Sequence, residues 1–223
     1  VSIRVVIKLG GRVARDAVSV VLERHAAGEE VVVVHGAGPQ ITAELHARGI
    51  STEFVRGRRY TDSATLAVVR ASLVAVGVEV SAAIGPTAVH LVGDEIGLEA
   101  VRLPELGFVG EPVPTPSTAI EHTLSVGRIP VVTPLAVGPL NVNADEAATA
   151  LAEGLGADRI VFVSDVQGVY VAGSVVSLLH ADHATELIES GTVEGGIVPK
   201  LLAAARAARL GLTVEIGATA VVA

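Results

Sequence analysis

The sequence predicts an α/β fold whose two lobes share a mostly parallel sheet, and three observations carry that reading. Strand-like and helix-like runs alternate along all 223 residues, the signature of helices packed on a parallel sheet. Val31–His35 and Arg159–Ser164 are almost continuous apolar runs, as strands buried on both faces require. Glycine-rich turns also follow directly on the first two strands, where a parallel sheet presents its ligand-binding end.

Taken in order, Ile3–Lys8 reads as the first strand and Val13–His25 as an amphipathic helix. The strand Val31–His35 runs into Gly36-Ala37-Gly38-Pro39, and Pro39 suits the first turn of a helix over Gln40–Ala47. Phe54–Thr61 reads as a short hairpin around Gly57, followed by two helices, Ser63–Val76 and Val80–Ile84. Gly and Pro punctuation from Ala88 to Pro114 predicts a small antiparallel patch; Pro116–Val126 then reads as a helix and Ile129–Leu135 as a strand. Asn143 with Glu146 three residues later is close to a capping box for a helix reaching about Gly154. After the strand Arg159–Ser164, an irregular or hairpin-like Val169–Leu179 leads to a short helix over Ala184–Ser190. An alanine-rich helix from Pro199 to Leu210 and strands at Thr213–Ile216 and Thr219–Val222 complete the chain. The division between lobes falls near Leu135–Asn141, giving segments 1–138 and 139–223.

Composition narrows the function classes. A net charge of -8 opposes a nucleic-acid partner, because a phosphate backbone rewards a basic surface. No apolar run approaches the roughly 18–20 residues of a membrane span, and the first residues lack the pattern of a signal peptide. Those readings, with the absence of cysteine, place the chain in the cytoplasm and exclude disulfides and thiolate chemistry. Lysine is the informative residue. Among 16 basic side chains only Lys8 and Lys200 are lysines, and the chain's asparagines, Asn141 and Asn143, stand together in NVNAD. Where lysine survives such a bias, a compact ammonium that arginine cannot imitate is the expected reason.

The motifs exclude several chemistries in turn. No G-x-x-x-x-G-K-[ST] occurs, and Gly36-Ala37-Gly38-Pro39-Gln40-Ile41 lacks the third glycine of a dinucleotide fingerprint. G-x-S-x-G is missing, the histidines are scattered, and His180-Ala181-Asp182-His183 reads as surface residues at a helix start, so no metal site is expected. What remains is two lysines, one carboxylate cluster and two glycine turns able to present N–H groups to anionic oxygens. That inventory suits phosphoryl transfer, in which positioning and charge stabilisation do most of the catalysis.

Six strings in order give the chain a family resemblance: VVIKLGG (Val5–Gly11), VVVVHGAGPQI (Val31–Ile41), GRRYT (Gly57–Thr61), ELGFVGEP (Glu105–Pro112), the block from Leu140 to Tyr170, and GTVEGGIVPK (Gly191–Lys200). The chain resembles the amino acid kinase family, and within it the branch that phosphorylates N-acetyl-L-glutamate. The resemblance implies a three-layer αβα sandwich. Its first lobe would bind the acylated amino acid and dimerise, and its second would bind ATP. It also implies catalytic roles for Lys8, Lys200 and Asp145, the carboxylate holding both ammoniums beside the phosphoryl group in flight. Arg59 would clamp the substrate α-carboxylate, with Arg58 as the alternative. Asn141, supported by Asn143, would hydrogen-bond the acetylamino end, and Ala37 and Gly38 would approach the carboxylate being phosphorylated. Gly10, Gly11 and Gly36 would meet the nucleotide phosphates. Two loops, Asp165-Val166-Gln167-Gly168-Val169-Tyr170 and Thr192-Val193-Glu194-Gly195-Gly196, would enclose the nucleotide. Magnesium would be held by the ATP phosphates, with no dedicated protein cage.

Three departures qualify the resemblance. A methyl stands at Ala37 where the family carries glycine, which is tolerable only at negative φ. The segment before the last strand is short, which implies an open nucleotide pocket and weak ATP affinity. An extended N-terminal helix is missing, which implies an arginine-insensitive homodimer built across the sheet edge or the first-lobe helices. Two other readings stay open: a kinase acting on glutamate or aminoadipate held by an acidic carrier protein, and a non-catalytic ligand-binding relative.

Overall fold

A computed structural model describes residues 2–10, 16–55, 57–163 and 167–223. The expectations for Gly11, for the start of the first helix (13–15) and for Ser164, Asp165 and Val166 lie outside these residues. The first half runs β1 (Arg4–Leu9), α1 (Asp16–Ala26), β2 (Glu30–His35), α2 (Gly38–Ala47), β3 (Phe54–Val55), β4 (Arg58–Arg59), α3 (Ser63–Ile84), β5 (Ala88–Val92), β6 (Ala100–Arg102), β7 (Val109–Pro112), α4 (Thr118–Ser125) and β8 (Ile129–Thr133). The second continues through β9 (Leu135–Ala136), β10 (Leu140–Val142), α5 (Ala144–Gly154), β11 (Arg159–Val163), β12 (Tyr170–Val171), β13 (Ser174–Val175), β14 (Leu178–His180), α6 (Ala181–Glu189), α7 (Ile197–Arg209), β15 (Thr213–Ile216) and β16 (Thr219–Val222).

Eight strands form the central sheet in the order β14-β16-β15-β11-β1-β2-β8-β5, parallel except where β15 meets β16. The three-layer α/β sandwich follows from strand alternation. Val5, Ile7 and Leu9 turn to one face and pack with Val18 and Val21 of α1, whereas Val6 turns to the other, among residues of α5 and α7. Helices therefore cover both faces, and β1 lies near the middle with both flanking strands parallel to it.

Four expectations change in detail. The two helices expected around Val76–Val80 are one, α3, whose interior includes Gly77. A Cβ at Gly77 would stand 2.3 Å from His90 Nε2 and 2.8 Å from Thr133 Oγ1, so this glycine serves a close helix–sheet approach and does not end the helix. The unbroken α3 is also long and apolar enough to cross a membrane by length and composition, which corrects the reading that no run approaches that length. β5 is not part of an antiparallel patch; it pairs parallel with β8 and forms one edge of the main sheet. The separate four-stranded sheet is β6-β7-β10-β9, and Pro134, which has no N–H to give, separates β8 in the main sheet from β9 in the small one. At α5, Asn143 is the cap, but Glu146 does not complete a capping box because its carboxylate pairs with Arg58 at 3.0 Å.

Candidate active site

Two-residue periodicity puts Lys8, like Val6, on the sheet face that carries α5 and α7. Asn143 fixes the first turn of α5, its Oδ1 accepting from the N–H groups of Asp145 (2.8 Å) and Glu146 (3.3 Å). That turn brings the Asp145 carboxylate to the end of β1. Lys200, in the first turns of α7, arrives from the other side. Asp145 Oδ1 lies 3.0 Å from Lys8 Nζ and 3.0 Å from Lys200 Nζ, and all three side chains are buried. Phe162, which is beside Lys8 in the sheet register, lies beneath Lys200 with its ring centre 5.4 Å from the ammonium.

The charges do not balance. Two ammoniums share one carboxylate oxygen, leaving a net positive charge in a low-dielectric recess, and an anion is its natural complement. Burial alone would raise the Asp145 carboxyl, but attraction to Lys8 and Lys200 outweighs it and holds the group below the usual carboxylate range. Burial lowers the Lys200 ammonium, and repulsion from Lys8 adds to it against the pull of Asp145.

Lys8, Asp145 and Lys200 open on a cavity of about 780 Å³ that Arg59, Asn141 and Asn143 also line. Arg59 sits over the Phe54 ring at 4.5 Å and donates through Nη2 to Thr42 Oγ1 at 2.8 Å. Its Nη1 is buried without a partner among the described residues, and burial lowers its pKa. Arg58 is engaged elsewhere, 3.0 Å from Glu146 and 3.5 Å from Glu111. Of these two arginines, Arg59 therefore keeps donors for an anion. The hairpin tip at Gly57 has φ +80°, and a Cβ there would stand 2.9 Å from Pro199 Cγ, so β3–β4 leans on the first turn of α7 beside Lys200. Segments far apart in the chain thus line one cavity.

The glycine turns divide unevenly. Gly10, Gly36, Ala37 and Gly38 line the cavity. However, the Gly10 N–H donates to Val163 O (3.2 Å) and the Gly36 N–H to Leu9 O (2.9 Å), so these amides serve the fold and are not open donors for phosphate. Ala37 has φ −138°, satisfying the condition set by its methyl, and packs with Ile41, Leu45 and Val68. Among the nucleotide-loop residues, Glu194 and Gly196 line the cavity. Gln167, Gly168, Val169, Tyr170, Thr192, Val193 and Gly195 do not. The Val169 N–H donates to Thr219 Oγ1 (2.8 Å) and Gln167 O accepts from Ala218 N–H (2.8 Å), so this loop is tied to the final β15–β16 turn. Sequence reading missed Thr42, Phe54 and Phe162 as supports of the charged groups. Only Thr42 carried a local signal, one helical turn after Gly38.

No group of three or more His, Asp or Glu side chains suited to a metal occurs among the described residues. The carboxylate nearest the lysines is occupied by both of them. Among the described residues, the side chains at this site therefore do not fit a protein-held cation.

A buried histidine stands behind the second glycine turn. His35 Nε2 lies 3.1 Å from Thr133 Oγ1, which His90 Nε2 also approaches at 2.8 Å. Burial, reinforced by His90, lowers the His35 pKa to about 4. Below about pH 6.5 the unfolded chain binds a proton that the folded chain refuses, so this contribution to stability is complete above pH 6.5 and fades as pH falls toward 4. The loss amounts to about 3 kcal/mol at the acid end. We expect the His35 imidazole resonances to hold their neutral positions from pH 8 to pH 5; a midpoint near 6.5 would contradict the burial argument.

Comparison with known proteins points one way. The sequence profile described as the amino acid kinase family matches residues 4–217. An acetylglutamate kinase of Cereibacter sphaeroides is 41% identical over 215 residues, covering 88% of this chain and 73% of that protein. The acetylglutamate kinase of Roseiflexus castenholzii is 39% identical over 222 residues, covering 93% and 86%. Among solved structures, smu.665 from Streptococcus mutans superposes with a TM-score of 0.88 at 27% identity, covering 98% of each chain.

Proposed function

The chain belongs to the amino acid kinase family, and on that premise we propose that it transfers the γ-phosphoryl group of ATP to the side-chain carboxylate of N-acetyl-L-glutamate. The product is N-acetylglutamyl 5-phosphate, an intermediate of arginine biosynthesis, made in the cytoplasm. The observation that carries the reading is the shared carboxylate oxygen: two ammoniums held 3.0 Å from Asp145 Oδ1 on a cavity of about 780 Å³.

The acceptor carboxylate is ionised at neutral pH, so it attacks the γ-phosphorus in line and no general base is required. Lys8 and Lys200 neutralise charge on the equatorial phosphoryl oxygens, and Asp145 keeps both ammoniums in register. Arg59 binds the α-carboxylate through the donors that Thr42 leaves open, and Asn141 meets the acylated amino group. Residues 1–138 hold the acylated amino acid and residues 139–223 the nucleotide, which brings magnesium with it. A coupled ADP-release assay over N-acetylglutamate, free glutamate, aminoadipate and aspartate tests the assignment. Turnover confined to N-acetylglutamate is expected, and no turnover with it, or turnover with one of the other three in its place, would overturn it.

The working unit in this reading is a homodimer, as a surface of the first lobe supports. Ala64, Ala67, Ala71, Ala75, Val78 and Ala82 of α3 all point outward. This face lies beside β5, a sheet-edge strand whose residues are half-buried, and such unpaired edges are covered in most proteins. Sedimentation is expected to give twice the 22.6 kDa chain mass, and Ala71→Glu to shift it toward one chain. A wild-type protein sedimenting as a single chain would sink the dimer.

A further inference from the structure

Two substrate-facing groups of the proposed reaction meet at one hydroxyl that faces no ligand. Thr61, fully buried, follows β4 and is absent from the cavity lining. Its Oγ1 donates to the carbonyl oxygen of Arg59 at 2.8 Å. The same oxygen accepts from Asn141 Nδ2 at 3.1 Å. A hydroxyl has one proton to give. Because that proton goes to Arg59 O, Thr61 can act toward Asn141 only as an acceptor, and the amide must present nitrogen to it. Amide orientation is ordinarily assigned by such network arguments, and here the network allows one answer. Asn141 Oδ1, the acceptor end, is left for the cavity.

The Thr61 backbone is as fixed as its side chain. Its N–H donates to Leu106 O (3.0 Å), and its carbonyl accepts from Phe108 N–H (2.7 Å). Phe108 O in turn accepts from the Asn141 N–H at 2.8 Å. The turn between them depends on Gly107, at φ +81°, where a Cβ would stand 2.3 Å from Thr61 O. One backbone turn therefore carries both Thr61 and the start of the Asn141 contact, so the spacing from Arg59 to Asn141 is set by short bonds and not by loose packing.

We propose that Thr61 is a positioning residue for substrate binding: its hydroxyl holds the Arg59 strand end and orients the Asn141 amide so that an acceptor faces the ligand. The proposal rests on the function assigned above, and its test separates the two. Asn141 and Asn143 are the asparagines of the chain, so asparagine-selective ¹⁵N labelling yields two side-chain amide signals and needs no substrate. In the wild type, the Asn141 amide protons are expected to exchange with solvent at least about tenfold more slowly than those of Asn143, as a half-buried hydrogen bond to a fully buried hydroxyl predicts. In Thr61→Val, a near-isostere without the hydroxyl, the Asn141 signal should shift while that of Asn143 stays. The KM for N-acetylglutamate should rise about tenfold with the KM for ATP within about twofold, and Thr61→Ser should restore both readouts. Equal exchange rates in the wild type, an unmoved Asn141 signal in Thr61→Val, or parallel rises in both KM values would overturn the positioning role. A wild type that does not phosphorylate N-acetylglutamate would instead overturn the assigned function, and the amide signals would still decide Thr61.

Discussion

Asp145→Asn is expected to abolish most turnover and to lower stability together. The substitution keeps size and shape but leaves Lys8 and Lys200, each 3.0 Å from the same oxygen, facing a neutral amide in a buried recess. Removing one partner of a buried ionic group costs about 3–5 kcal/mol, because the remaining charges lose their compensation. The ammoniums would also repel each other and leave the position in which they serve the phosphoryl oxygens, for a loss in kcat of about 10²–10³-fold. The acid limb of the stability curve should change as well. The Asp145 carboxyl is held below its usual range, so its stabilisation is present above about pH 3.9 and disappears as pH falls through the lower folded value. The variant should lack that component. Urea midpoints from pH 7 down to pH 3, set beside kcat at pH 7, make the measurement. Wild-type stability with wild-type turnover would show that the carboxylate is merely a first-turn helix residue favoured by the dipole.

Lys8→Arg and Lys200→Arg are each expected to lower kcat by about 10²-fold or more while the fold survives. Charge is conserved in both, so any loss reports geometry. An ammonium is a compact point charge with three donors, whereas a guanidinium is planar and longer. Two guanidiniums, or one of each, cannot converge on a single Asp145 oxygen in the space that two ammoniums occupy. Lys200 has an added constraint, since the Phe162 ring lies beneath it. Single-turnover rates with saturating ATP and substrate separate this loss from weaker binding. Turnover near that of the wild type in either variant would remove that lysine from the transfer step.

Much of this site was legible because its residue types are rare in the chain. Two lysines among 16 basic residues drew attention before any contact was known, and the Asn143 cap followed from its place before a helix. The alternation of strand-like and helix-like runs, with almost continuous apolar runs at Val31–His35 and Arg159–Ser164, likewise revealed the parallel sheet and its buried centre. What stayed hidden were relations between distant segments. Nothing local distinguishes Gly77 from a helix breaker, because the reason for it is His90 and Thr133 across the sheet. Glu146 fits a capping box by spacing, yet Arg58, 88 positions earlier, holds it. The amides of Gly10 and Gly36 look free in sequence, but each is taken by a neighbouring strand end. Thr42 and Thr61 carry no charge, and although Thr61 closes the GRRYT string, their parts emerge only when Arg59 and Asn141 are brought beside them.

The most direct test of a carboxylate phosphorylated between two ammoniums is to trap its product. The protein is incubated with magnesium ATP and N-acetyl-L-glutamate in the presence of hydroxylamine, and the hydroxamate formed is counted against ADP released. One hydroxamate per ADP is expected, with none when Lys8 or Lys200 is replaced by alanine. Binding of both ligands with no hydroxamate, or ADP released without it, would contradict the account.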